Sequence, residues 1–291
     1  MVKDKRSNSF LCLDTSKKIL PKHKNSNSRL QSDIKIKLLP DCKRSQITIF
    51  VIWGLIIIVG IMIIFLLIGK PEIKIIDEKN PQAFIESCTR DAVEEAIDTL
   101  SKKGGDISPK GYLSYNGTEI TYLCYSQNFY EKCVNQRPLL IEHIEKEITS
   151  YITPKIEKCF NDLEGKLESS YSIETSGMKL ATRLQSKNVA VEINKKFKMT
   201  KIGGSGGETR DFNEFSMYLV HPIYDLAKIS MEIVNQETRF CNFDELGFMI
   251  LHPEFDVRKF ITGDEDIVYK VEEVSTNEYF IFAVTSCKLP P

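Results

Sequence analysis

Four histidines, His23, His143, His221 and His252, are the first candidates for acid–base or metal chemistry in this 291-residue chain. Imidazole is the side chain whose ordinary pKa sits nearest neutrality. None of the four stands at a zinc-ligand spacing, and no serine occupies a nucleophile elbow. The cysteines contain no C-x-x-C or C-x-x-H pair, so they do not form a recognisable metal motif. The glycine run at 203–207 would need a strand before it, a helix after it and a Lys-Ser/Thr pair to cradle phosphate. It is followed instead by Glu208, Thr209, Arg210 and Asp211 and by another alternating segment, which describes a hairpin tip. Gly263, Asp264, Glu265 and Asp266 lack the spaced oxygen ligands of a calcium loop and describe an exposed acidic turn. The sequence therefore assigns no catalytic residue, no cofactor site and no metal ligand, and the expectation is a protein that is not an enzyme.

Tyrosine carries more information. Five of the eleven, Tyr112, Tyr115, Tyr122, Tyr125 and Tyr130, fall within nineteen residues. Two alternating runs around 112–115 and 120–125 flank Asn116 and Gly117, the strongest two-residue hairpin signal. On the second run Ile120, Tyr122 and Cys124 share one face, and Thr121, Leu123 and Tyr125 the other. Tyrosine left exposed on such a hairpin gives large contact area at low entropy cost, as partner surfaces use it. Ordinary strand propensity accounts for the same pattern. Asn116, Gly117 and Thr118 also form an N-glycosylation triplet at the hairpin tip.

Cysteine usage points to a compartment. Cys12 and Cys42 precede a long apolar run, and Cys88, Cys124, Cys133, Cys159, Cys241 and Cys287 follow it. An even set in an oxidising compartment describes disulfides. Six cysteines allow 15 connectivities; Cys88–Cys159, Cys124–Cys133 and Cys241–Cys287 are expected because each pair brackets a local unit.

The elements that must position these residues follow from periodicity. Residues 47–69 carry no charge and at 1.5 Å per residue extend about 34 Å, against about 30 Å of hydrocarbon core. They are expected to form a transmembrane helix. Residues 1–46 hold 12 Lys/Arg against 4 Asp/Glu, and residues 70–291 hold 27 against 36, giving about +8 and −9. Positive flanks stay in the cytosol, so the carboxyl-terminal part is expected outside. The basic tail, expected to be disordered, suits attraction to anionic lipid or serves as a topology signal alone. Pro71 ends the apolar helix, and 70–79 form a juxtamembrane linker.

Asn80 and Pro81 open an amphipathic helix over 81–103 that Gly104 and Gly105 close. Pro138 opens a second helix that Pro154 breaks or kinks. From about 171 the period changes to two, giving half-buried antiparallel strands with one wet face. A helix over 222–236 and a short one over 243–251 precede closing strands at 255–262, 266–273 and 278–286. The expected fold class is α+β: an N-terminal transmembrane helix, then an extracytoplasmic domain with an antiparallel sheet and several packed helices. Its expected parts are 1–46, 47–69, 70–79, a helical part with the tyrosine hairpin at 80–168, and a β-rich part at 169–291.

K-R-S-Q-I-T-I-F at 43–50, running straight into the apolar segment, resembles the class III signal of archaeal type IV pilin-like proteins. The helix that begins with Glu86, Ser87 and Cys88 and ends at Gly104 and Gly105 is similar to that of uncharacterised archaeal single-pass proteins. The resemblance implies a cell-surface protein whose leader a prepilin peptidase cleaves. Ser45 stands where glycine is usual, and Pro71 interrupts the helix that pilins continue into the head, which favours a retained anchor. The expected function is therefore a membrane-anchored, non-catalytic binding or scaffolding protein of the cell envelope. Its N-terminus is cytosolic and its larger domain extracytoplasmic. The alternatives are a pilin-like filament or pilus-assembly subunit and, third, a surface hydrolase. Expected partners are the lipid bilayer and an envelope or surface protein, with no nucleic acid. Nothing in the apolar run specifies a helix dimer, because it lacks Gly-x-x-x-Gly, and the oligomeric state is left open.

Overall fold

The computed structural model describes residues 45–68, 80–128, 131–203 and 208–287. The expected tail at 1–44, the linker at 70–79, Tyr130 and most of the glycine run lie outside these residues. Chain contacts separate two units, Met1–Pro71 and Glu72–Pro291.

In the first unit, α1 spans Ser45–Ile68. The expectation of a transmembrane helix is corrected here. Among the described residues no helix is long and apolar enough to cross a membrane. The large apolar side chains of 51–62, Trp53 and Ile58 among them, are exposed.

The second unit opens with α2 (Pro81–Ser101), whose first turn is capped as expected: the Asn80 side chain accepts from the Ala83 N–H at 3.1 Å, and Pro81 takes the first helical position. Its stripe of Ile85, Ala92, Val93, Ala96, Ile97 and Leu100 is buried. Strands β1 (Tyr112–Tyr115) and β2 (Thr118–Tyr125) form the expected hairpin. Its Asn116–Gly117 turn has positive φ at both residues, 49° and 79°, as a type I′ turn requires. After β3 (Val134–Asn135), α3 runs unbroken over Leu140–Leu167 with Pro154 inside it, where separate helical pieces were one expectation. Pro154 lies on the exposed side, and the buried row of Ile144, Ile148, Ile152, Ile156, Phe160 and Leu163 passes beneath it. Packing of that row outweighs one lost backbone bond.

The remainder is β4 (Tyr171–Thr175), β5 (Lys179–Gln185), β6 (Asn188–Lys201), β7 (Thr209–Leu219), α4 (Ile223–Phe240), α5 (Glu245–Leu251), β8 (Phe255–Ile261), β9 (Ile267–Glu273) and β10 (Tyr279–Val284). These strands form two sheets. In one, β4 and β5 pair with the two halves of β6, and β7 pairs along nearly its whole length. The other has the order β1-β2-β10-β9-β8, with β3 also on β2. It is mixed, because β2 and β10 run parallel, whereas one antiparallel sheet was expected. The reason is topological: most of the unit's chain separates β2 from β10, and the helices and strands in that stretch supply the crossover that parallel strands need.

Both sheets and helices α2–α4 share one core. Phe160 of α3 meets Phe215 edge to face at 5.1 Å between centroids, and lies 6.1 Å from Phe197. Buried Glu237 of α4 accepts a hydrogen bond from the Tyr269 hydroxyl of β9, with the Lys259 ammonium 3.7 Å away. The three expected disulfides, Cys88–Cys159, Cys124–Cys133 and Cys241–Cys287, all form. The first ties α2 to α3.

Candidate binding groove on the tyrosine hairpin

The turn after α2 places the first element of the site. Lys103 and Gly105 N–H groups both bond the Leu100 carbonyl, and Gly104 takes φ +74°. A Cβ on Gly104 would lie 3.0 Å from the Thr121 backbone, so β2 crosses directly over this turn. The turn delivers Asp106, which is 5% exposed, to the underside of β2. Its carboxylate accepts from Thr121 Oγ1 at 2.6 Å and from Arg137 at 3.3 Å, and it pairs with His143 Nε2 at 2.5 Å. Burial pushes the Asp106 carboxyl up. The bonds from His143 and Thr121 and the Arg137 charge outweigh burial and hold it below its ordinary value.

Glu147, one turn beyond His143 on α3, accepts from the Ile107 N–H at 2.9 Å. Asp106, His143 and Glu147 each offer one ligand atom, all within 4.8 Å of one another. The other Asp106 oxygen already faces Thr121 and the Arg137 cation, and the Glu147 oxygen is engaged by backbone. The cluster is satisfied as a polar brace for Arg137.

Above this brace lies the groove. Tyr122 faces Ala283 and Cys124 faces Val284, so β2 contains one extra residue there, a bulge that redirects side chains. The edge of β2 opposite β10 is shared: Tyr122 N–H bonds the Gly111 carbonyl at 3.2 Å, and Gln136 N–H bonds the Leu123 carbonyl at 2.8 Å. Between those two paired segments opens a groove of about 680 Å³ lined by Lys110, Tyr112, Tyr122, Tyr125, Gln136 and Arg137, with Gly111 and Thr121 beneath. Its volume falls in the range of ligand sites, about 300–1,000 Å³. Gln136 and Arg137 also border a second hollow of about 280 Å³ that contains His143 and Lys146. The Cys124–Cys133 disulfide fastens β2 to the segment that leads into β3 and so fixes one wall.

No family model matches this chain, and no curated protein or solved structure matches it. The site must be understood from its own geometry.

The hairpin tyrosines separate into two groups. Tyr112, Tyr122 and Tyr125 line the groove. Tyr115 does not line it and packs with Leu113, Ile120, Val268 and Ala283 in a small second core, to which Tyr122 also contributes. Tyr122 and Tyr125 rings meet edge to face at 5.3 Å. Tyr122 donates its hydroxyl to Asp266 at 2.6 Å, and burial followed by that bond pushes its phenol up. Asp266 belongs to the acidic turn between β8 and β9, which thereby has a structural role. Tyr112 is exposed, and its bond to Glu119 likewise raises its phenol. Asn116 is exposed at the hairpin tip. Sequence reasoning found the tyrosines but missed Lys110, Gln136, Arg137 and the Asp106–His143 pair. The only local signal for the pair was His143 and Glu147 at i, i+4 on one helix face.

Proposed function

We propose that this chain is a non-catalytic binding or scaffolding protein of the cell envelope, held at the membrane with its Glu72–Pro291 unit outside the cytoplasm. One observation carries the binding part. Three tyrosines, two cations and an amide converge on a groove whose walls are fixed by a bulge, a disulfide and a buried ionic brace. Aromatic and arginine side chains are the residues that dominate protein recognition surfaces. The extracytoplasmic placement is supported by three disulfides, which persist in oxidising compartments. Membrane attachment is supported by the exposed apolar side chains of 51–62, a large uncovered apolar surface of the kind that marks membrane or protein contact. The basic bias of 1–46 agrees with a cytosolic start.

The experiment is capture of detergent-solubilised envelope components, from the cells that produce the protein, by the immobilised full chain, so that the apolar segment at 51–62 does not itself report as binding. The native chain binds, and a Tyr112→Ala/Tyr125→Ala chain binds at least about tenfold more weakly, as loss of two aromatic contacts implies. Equal binding by both chains would refute the groove. A pilin-like subunit is the second reading, favoured by the 43–50 motif. A mature chain beginning at Gln46 or Ile47 would establish cleavage and support it.

A further inference from the structure

Resting on the groove being a binding site, we infer that its ligand is an acidic saccharide: a pyranose bearing a carboxylate or sulfate, at the end of or within a glycan. Three features select this chemistry. First, the aromatic surface is offered as ring faces. The Tyr122 hydroxyl is committed to Asp266. What remains is a corner of phenol rings, with Tyr112 44% and Tyr125 40% exposed. Such rings pack on the C–H faces of a sugar, while the Gln136 amide and the Tyr125 hydroxyl, which has no partner among the described residues, meet its hydroxyls.

Second, the charge is positive but local. Asp106 engages one terminal nitrogen of Arg137; the other bonds only the Gln136 carbonyl, at 3.2 Å. The Lys110 ammonium has no partner among the described residues. Residues 70–291 as a whole are acidic, 36 Asp/Glu against 27 Lys/Arg. A domain of that charge repels an extended polyanion, yet the exposed Lys110 ammonium beside the half-buried Arg137 guanidinium holds a single anionic group.

Third, the β2 backbone beneath the groove is not available. Peptides that add as a strand need an unpaired sheet edge. Along the groove the β2 edge is already bonded to Gly111 and Gln136. Recognition therefore falls to side chains.

The test is calorimetric titration of the full chain with trigalacturonate, neutral galactotriose and triglutamate. Lys110→Gln and Tyr125→Ala serve as variants because both positions are exposed and their loss leaves the core intact. The proposal expects trigalacturonate to bind at least about tenfold more tightly than galactotriose. It expects Lys110→Gln to weaken that binding several-fold and reduce its salt dependence, and Tyr125→Ala to weaken it about tenfold. Equal affinity for galactotriose would overturn the anionic assignment. Triglutamate binding as tightly as trigalacturonate would overturn the saccharide assignment and leave the groove as a binding site. Binding of none of the three, with envelope binding still lost in Tyr112→Ala/Tyr125→Ala, would do the same. Binding of none, with envelope binding intact in that variant, would overturn both readings.

Discussion

Replacing Asp106 by asparagine removes one charge from a site where the carboxylate is 5% exposed and is shared by Thr121, Arg137 and His143. The amide keeps the shape but turns one acceptor into a donor. At least one charge-assisted bond is lost, worth about 1.5–3 kcal/mol, and the attraction to Arg137 weakens. The expected cost at pH 7 is about 2–3 kcal/mol, the lower part of the range for breaking a buried pair, because Arg137 and His143 keep some contact with water. Urea unfolding with the disulfides intact measures it, as a shift in midpoint at unchanged slope. The pH dependence supplies a second check. The native carboxyl is held below its ordinary value of 3.8, so its contribution is complete above that value and is lost as pH falls through the lowered one. The gap between native and variant should therefore narrow at pH 2. A loss below about 0.5 kcal/mol at pH 7, or an equal loss at pH 2, would refute a buried ionic brace.

Gly104→Ala should cost about 1–3 kcal/mol, because it combines positive φ with a Cβ 3.0 Å from the Thr121 backbone; unfolding midpoints check it, and a neutral result would mean β2 does not cross this turn closely. Tyr269→Phe should cost about 1–3 kcal/mol by leaving the buried Glu237 carboxylate short of a donor, a loss that Glu237→Leu in the same chain should partly recover. Removing Cys88–Cys159 by serine substitution, with a separation of 71 residues, should cost about 4 kcal/mol. Removing Cys124–Cys133, with a separation of 9, should cost about 2.5 kcal/mol, and the reverse order in unfolding measurements would contradict the loop-entropy account.

Features written in local chemistry were legible in the sequence. Asn80 with Pro81 starts α2, Gly104 with Gly105 follows its end, and Asn116 with Gly117 turns the hairpin. The cysteine pairing was also legible, because each pair encloses a unit that the periodicity had already outlined. Pro154 was misleading, since a proline on the exposed side of a well-buried helix removes one bond without undoing the packing beneath it. The parallel pairing of β2 with β10 was out of reach, because those strands are separated by most of the unit. So was most of the brace: Asp106 finds Thr121, Arg137 and His143 at separations of 15, 31 and 37 residues, and the His143–Glu147 spacing on α3 does not point to Asp106. The tyrosine cluster was half legible. Its count suggested a surface, but which tyrosines line the groove depends on the segments at 110–111 and 136–137 that flank β2, and these are set by tertiary pairing. The 47–69 run shows the limit of composition: length and apolarity predicted a spanning helix, whereas no described helix meets that requirement.

The groove is proposed to bind a component of the cell envelope. Capture of detergent-solubilised envelope components by the immobilised full chain, native against Tyr112→Ala/Tyr125→Ala, tests this. At least about a tenfold loss of affinity is expected in the variant with the core intact, because both tyrosines are exposed and contribute contact area. Equal binding by two equally stable chains would contradict it.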